Sequence, residues 1–323
     1  MTDGVNNSIS GGIFYSAVIQ GRDITVVLPA RITPAMDGLP SATAAFTGRE
    51  QNLEQVLLCL APSDARATST AVVAGMGGIG KTELAVQAAH AALDRGWFPG
   101  GALFVNMSGY SAHPLTPAEA LDGFLSAVGI PNKHIPPAAQ DKSRLLRSVL
   151  ATYATQERRV LVVIDNAFTS EQAQPLLPAG RDCAIVTSRH ALTDLNARLI
   201  NLEALPLEHG VALLGGVLAQ RDPDDTRVHD HPDDARRLAR FCGGLPLALQ
   251  ILAAQLAAIL QKPLAVLADD LADAATRLEE LAFANQAVRA VFDSSYHRLP
   301  ATHARLYRLL SLNPGPMSPK TQP

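Results

Sequence analysis

Gly75-Met76-Gly77-Gly78-Ile79-Gly80-Lys81-Thr82 has the residue types and the spacing to hold a phosphate chain. Glycines let such a loop take positive φ and turn bare backbone N–H groups toward an anion. The Ala- and Leu-rich stretch from Glu83 to Leu93 predicts a helix. Its N-terminus would aim unpaired N–H groups and a partial positive charge at the same anion. Lys81 has the reach for the outer phosphates, and the Thr82 hydroxyl is a ligand for Mg²⁺. Apolar Ala71-Val72-Val73-Ala74 precedes the loop, so the pattern G-x-x-x-x-G-K-[ST] stands in a strand–loop–helix context. Gly75, Gly77 and Gly80 also satisfy G-x-G-x-x-G, the dinucleotide pattern. That site wants an acid at the end of the next strand to hold a ribose. The run Ala102 to Met107 offers Asn106 there, and Lys-Thr after the last glycine has no role in it. A glycine-rich turn that binds nothing is the remaining alternative. The flanking strand and helix favour a nucleoside triphosphate.

Two later strand ends carry further chemistry. Arg159-Val160-Leu161-Val162-Val163-Ile164-Asp165-Asn166 is continuously apolar and then acidic. A run apolar on both faces predicts a central parallel strand covered by helices. Ligands in such sheets bind at the carboxyl ends of the strands. Asp165 is therefore a candidate to hold Mg²⁺ with Thr82, against the plainer role of capping a turn. Cys183-Ala184-Ile185-Val186-Thr187-Ser188-Arg189 ends in an arginine, a donor fork suited to a γ-phosphate or, more plainly, to a surface ion pair.

These residues need elements to position them. Strands alternating with helices predict an α/β fold, a P-loop NTPase doubly wound parallel sheet. One helix is expected through Leu53, Val56, Leu57 and Leu60, and another from Asp141 to Ala154. Thr116-Pro117-x-Glu119 has the composition of a capping box with proline at the first helical position. Leu199–Leu202 reads as the last strand, after which the pattern turns helical: Leu207 to Leu218, Asp234 to Phe241, then Pro246 onward with Leu249, Leu252, Leu256 and Leu260 on one stripe. Leu264 to Leu281 and Thr302 to Leu310 add helical segments. The acidic stretch Arg221 to Asp233 is expected as a loop, and its His229 and His231 lack a nearby third metal ligand.

Composition bounds the rest. The 323 residues suffice for about two domains, and 47% hydrophobic content indicates a globular chain. A net charge of −3 provides no global pull toward nucleic acid or anionic lipid. Cys59, Cys183 and Cys242, odd in number and in apolar contexts, read as reduced thiols. No signal peptide and no membrane-spanning run is apparent, so a cytoplasmic protein is expected. Residues 1–32 carry three short β-like runs punctuated by glycine, and 33–45 have linker composition. The first segment is either an adaptor that pairs with a partner or a loosely attached arm. It has no helix-turn-helix pattern and no basic run, so direct nucleic-acid binding is not expected.

Taken together, the motifs resemble the NB-ARC class of signal-transducing ATPases with numerous domains (STAND), in the form found in actinobacterial regulators. FTGR at Phe46–Arg49, GMGGIGKT at Gly75–Thr82, LVVIDNA at Leu161–Ala167, TSR at Thr187–Arg189 and GLPLA at Gly244–Ala248 occur in the family's order. The resemblance covers roughly Thr43 to Pro314. It implies a nucleotide-binding domain over residues 46–205, a helical subdomain over 206–285, and the start of a winged-helix subdomain over 286–323. It implies that Phe46, Thr47 and Arg49 lie against adenine and ribose, and that Gly75 and Gly77 through Thr82, including Gly78, Ile79 and Gly80, hold the phosphates. Thr82 and Asp165 would hold Mg²⁺, Arg189 would sense the γ-phosphate, and Pro246 would pack on the adenine. The implied activity is an ADP/ATP switch acting through a protein partner or self-assembly, with a small-molecule phosphotransferase or a transcription-regulator fragment as the alternatives. Two departures stand out. Asn166 occupies the place of a second acid, and an amide is no general base, so hydrolysis is expected to be slow. The Met-His-Asp motif that contacts ADP in the family is not found in this sequence, which reads as a C-terminally short member.

Overall fold

The computed structural model describes residues 36, 38–62, 69–259, 262–272, 282–283, 286–297 and 299–311. The β-like runs expected within 1–32, the helical expectation over 273–281 and the residues after Ser311 lie outside them.

Five strands, β1 (Ser69–Gly75), β2 (Ala102–Asn106), β3 (Leu161–Ala167), β4 (Cys183–Ser188) and β5 (Arg198–Leu202), form one parallel sheet in the order β2-β3-β4-β1-β5. Helices cover both faces, which is why the central strands are apolar without alternation: every residue of β4 is buried. Alternate residues enter two separate cores. Leu161, Val163, Ile185 and Val73 face α1 (Glu50–Leu60) and α2 (Lys81–Asp94). Val162, Ile164, Val186 and Val72 face α3 (Pro117–Ala127) and α4 (Ala139–Thr155). The capping box of α3 forms as its sequence requires, with the Glu119 N–H donating to Thr116 Oγ1 and the Thr116 N–H to Glu119 Oε2. A four-residue turn of helix, α5 (Ser170–Ala173), follows β3.

Parallel strands have their C-terminal ends on one edge. Asn106 pairs in register with Asp165, and Ala74 with Ser188, so the chemistry-bearing strand ends converge there.

After β5 the chain is mostly helical: α6 (Leu207–Arg221), α7 (Arg227–Asp230), α8 (Pro232–Phe241), α9 (Pro246–Ala258), α10 (Leu264–Asp270), α11 (Val288–Tyr296) and α12 (Ala301–Ser311). Two-residue strands β6 (Ala282–Phe283) and β7 (Gln286–Ala287) pair antiparallel. Helix α9 buries Ala248, Leu249, Ile251, Leu252, Ala253 and Leu256, as a helix apolar nearly all round must. Its core is continuous with the α1/α2 side of the sheet. Gly244 makes the join tight. Its φ is +66°, and a Cβ there would come within 2.3 Å of the Leu205 carbonyl, which only glycine permits. The acidic stretch expected as a loop contains α7. Arg227 closes onto the Asp225 carboxylate at 2.6 Å and onto the Leu256 and Lys262 carbonyls of the neighbouring segment, and this tertiary anchoring supports a turn too short to stand alone.

Residues 38–45, linker-like in composition, run along α2. Thr43 N–H donates to Glu83, Gln87 donates to the Thr43 carbonyl, and His90 lies 2.8 Å from the Pro40 carbonyl. The spacing 83, 87, 90 is one face of the helix. Among the described residues no helix is long and apolar enough to cross a membrane. Cys59, Cys183 and Cys242 form no disulfide.

At the far end of the sheet from the strand C-termini, Asp182 is 0% exposed. The Val160 N–H donates to its Oδ1 at 2.7 Å, and its Oδ2 has no partner among the described residues. Burial pushes this carboxyl up to about 6, opposed by the Val160 hydrogen bond and the Arg159 charge. An acid whose folded pKa is raised is favoured in its neutral form, so its ionisation removes stability as pH rises from the unfolded value toward 6. Asp182→Asn is therefore expected to melt near wild type at pH 4. By pH 7 it should gain up to about 3 kcal/mol relative to it, measured by urea unfolding. A pH-independent difference would contradict this.

Candidate functional site

The phosphate loop leaves β1 at Gly75 and enters α2 through Gly80, which caps the helix at φ +94°. Gly75 and Gly78 are also at positive φ. No side chain caps α2, so its first-turn N–H groups are left to the cleft. Lys81 is only 9% exposed, and its ammonium donates to the Gly75 and Met76 carbonyls at 2.9 and 2.8 Å. Burial, then the charge of Arg189, lowers its pKa to about 8 against the opposing pull of Asp165.

Asp165, at the end of β3 and 2% exposed, is held by three donors. Thr187 donates to Oδ1 at 2.6 Å and Thr82 to the same atom at 2.7 Å, while Asn106 donates to Oδ2 at 3.0 Å. Burial raises the carboxyl, and the Thr187 and Thr82 bonds followed by the Lys81 charge pull it back toward ionisation. A hydroxyl beside a carboxylate is a hard-oxygen donor set that fits Mg²⁺, an ion that keeps several waters and takes one or two protein ligands. The next residue, Asn166, sits at φ +58° on the cleft wall. Asparagine tolerates this left-handed conformation better than most residues.

Arg189 follows β4. Its guanidinium lies 4.1 Å over the Tyr110 ring, and the Tyr110 hydroxyl accepts from the Arg189 backbone N–H at 3.0 Å. The guanidinium donates to the Val291 carbonyl and to Ser294 Oγ, both at 3.0 Å, and to Ser295 Oγ, all on α11. Val291 reaches over the loop: a Cβ on Gly77 would lie 2.4 Å from its Cγ1 and 3.3 Å from the Arg189 guanidinium carbon.

These groups line one cleft of about 390 Å³. Phe46, Thr47, Arg49, Gly77, Gly78, Ile79, Gly80, Lys81, Thr82, Asp165, Asn166, Arg189 and Pro246 all border it. Gly75 does not; it lies beneath the loop, where a Cβ would meet the Leu202 carbonyl at 2.8 Å. Arg49 borders the cleft with its guanidinium already engaged, donating to the Ile79 carbonyl at 3.2 Å and the Glu203 carbonyl at 2.6 Å. Burial lowers its pKa. It thus ties the phosphate loop to the segment after β5. Helix α9 is tied in as well, since the Leu247 N–H donates to the Gly78 carbonyl at 3.1 Å. Sequence reasoning assigned no role to Thr187, Asn106 or Tyr110. Thr187 and Asn106 carry the signal of a polar residue ending an apolar strand. Tyr110 carries none, because only the fold brings it under Arg189.

No protein-family model matches the chain. The regulatory protein AfsR of Streptomyces coelicolor is 39% identical over 294 residues, which are 89% of this chain and 28% of that protein. AfsR of Streptomyces griseus is 37% identical over 280 residues, 86% of this chain and 28% of the relative. The chain belongs to the NB-ARC/STAND P-loop ATPases of the actinobacterial regulator type. It spans about 28% of the length of those curated relatives. Among solved structures, a STAND protein with a tetratricopeptide-repeat sensor from Pyrococcus horikoshii aligns with a TM-score of 0.45 at 19% identity, covering 87% of this chain and 36% of that one.

For an NB-ARC/STAND site, a lysine held near 8 has a measurable consequence. If Lys81 meets the outer phosphates, as the sequence predicts, it does so as the protonated amine, and affinity for ATP should then weaken as pH rises through 8, by up to tenfold per unit until the pKa of the bound state is reached. Lys81→Arg, charged at every accessible pH, should bind more weakly but with a flat profile between pH 7.5 and 9.5. Titration calorimetry across that range checks both; a flat wild-type profile would count against the role given to Lys81.

Proposed function

We propose that the chain is a switch operated by adenine nucleotide, binding ADP or Mg²⁺–ATP and hydrolysing ATP slowly. The observation that carries the proposal is the double engagement of Arg189. One guanidinium borders the phosphate cleft and is bonded to α11, an element of a different part of the chain. A γ-phosphate and α11 would compete for it. Taking the domains as 46–205, 206–285 and 286–323, the nucleotide would then set the relation between the first and the last, and two rigid bodies sharing one ligand is a known switching device.

The remaining roles follow from the side chains. Lys81 would exchange the Gly75 and Met76 carbonyls for phosphate oxygens, since both are acceptors within the swing of one ammonium. Thr82 and Asp165 would hold Mg²⁺, which neutralises charge on the outer phosphates when bound. Phe46, Thr47 and Pro246 would flank the base and ribose. Asn166 can orient a water but cannot take its proton, which supports turnover slower than about 1 s⁻¹. A partner protein or self-assembly would receive the output.

Denaturing freshly purified protein and chromatographing what it releases tests the core of this. Stoichiometric ADP is expected from wild type and none from Lys81→Ala. Release of no nucleotide, with no uptake of ATP or ADP afterwards, would sink the reading. The competition has its own test. Replacing Ser294 and Ser295 together by alanine removes two hydroxyl acceptors of Arg189, so the preference for ATP over ADP should rise roughly tenfold. An unchanged ratio would mean that α11 does not compete.

A further inference from the structure

The cleft has two chemically different ends. One is charged, with Lys81, Asp165 and Arg189. The rest of the cleft lining includes Ala45, Phe46, Leu205 and Leu213, with Leu247 and the amide-bearing Gln250 from α9. The position of that amide follows from how α9 is set. The Leu247 N–H donates to the Gly78 carbonyl, so α9 begins over the phosphate loop. Pro246, Leu247 and Gln250 are its half-buried residues on the cleft side, while Ala248 and Leu249 are buried in the core. Gln250 therefore lies one helical turn, about 5 Å, farther along the axis than Pro246 and Leu247. Helix α6 closes the same end. A Cβ on its Gly210 would meet Leu249 Cδ1 at 3.4 Å, and one on its Gly216 would meet Ala45 at 3.6 Å.

Other polar groups at this end are engaged or bear only a hydroxyl. Arg49 donates to two carbonyls, and Thr43 Oγ1 accepts the Ala45 N–H at 3.4 Å. The Gln250 side chain has no hydrogen-bond partner among the described residues. It is an amide with a donor and an acceptor side by side, facing a cavity with apolar walls. A group of that kind, half-buried and unpaired, gains most from a ligand edge that also offers a donor beside an acceptor. Adenine has such an edge, its exocyclic amine next to a ring nitrogen, and glutamine pairs with it through two hydrogen bonds.

We propose that Gln250 is the residue that selects the nucleobase, its carbonyl accepting from the adenine amine and its NH₂ donating to the adjacent ring nitrogen. The proposal rests on the nucleotide reading above and deepens it. The apolar walls stack on any purine, and the amide distinguishes among them. The ring nitrogen concerned is N7: on that edge a 6-oxo purine offers two acceptors, O6 and N7, so the amide in either orientation can pair with only one of them.

The test is calorimetric titration of the full chain with ATP, GTP, purine riboside triphosphate (which lacks the 6-amino group) and inorganic tripolyphosphate, for wild type, Gln250→Ala and Gln250→Leu. Wild type should prefer ATP to the other two nucleotides by about tenfold or more, the worth of one or two hydrogen bonds in a cleft of low polarity. Both variants should lose about tenfold toward ATP, less toward purine riboside triphosphate, which keeps the ring-nitrogen acceptor but not the amine, and nothing toward tripolyphosphate, so the preference for ATP collapses. Tripolyphosphate serves as the check on folding, since it uses only the charged end. A variant that keeps the preference for ATP overturns the assignment, and so does one that weakens all four ligands alike. If wild type binds nucleotides but Gln250 proves neutral, the switch stands and this inference falls. If wild type binds none of the four, both fall.

Discussion

The structure depends on one buried carboxylate. Asp165 is 2% exposed and sits where three elements meet: Thr82 reaches it from α2, Thr187 from β4 and Asn106 from β2. A carboxylate out of water is costly unless its oxygens are paired. Here each donor comes from an element that must be in place for the pairing to exist. The strand order β2-β3-β4-β1-β5 provides them, putting the ends of β2 and β4 on either side of β3 and turning α2 back across the sheet edge. The carboxylate is thus both a candidate metal ligand and a test of correct assembly.

The positive groups follow a related logic. Lys81, Arg189 and Arg49 are drawn to one small volume, and each currently spends its donors on carbonyl or hydroxyl oxygens of the protein. Lys81 feels both burial and Arg189, which together lower its pKa toward neutrality. An anionic ligand would relieve this crowding of like charge, and the uncapped start of α2 adds to that pull. The two arginines are not equivalent. Arg49 braces backbone to backbone within the nucleotide fold, whereas Arg189 reaches into α11. Only the second links the phosphate end to α11, beyond the strands of the nucleotide fold.

The helical region is joined to the sheet by backbone as well as by side chains. Leu247 bonds to the loop at Gly78, and Gly244 lies so close to Leu205 that no other residue fits. The core is continuous across this join. Movement of the helices relative to the loop would therefore have to break specific hydrogen bonds rather than slide a loose surface. A system with few, defined contacts of that kind has discrete alternatives, which is what a switch requires.

Much of this was legible in the amino-acid order. The phosphate loop, the apolar strand ending in Asp165 and the Thr116 capping box depend on near neighbours, so local sequence carried them. The uninterrupted apolar run of β3 likewise implied burial on both faces. The helix α7 was not legible, because Arg227 stabilises it through carbonyls some thirty residues away. The course of residues 38–45 was hidden too: their composition is that of a linker, and their path is decided by Glu83 and Gln87 on α2. The pairing of Arg189 with Tyr110 and α11 joins segments 79 and 105 residues from it. What the sequence determined alone was the set of groups able to do chemistry and the elements bearing them. Which of those groups meet, and which are already engaged, was decided by the tertiary structure. Hydrogen bonds and burial act through distances in space, and only the folded sheet edge brings these residues within that range.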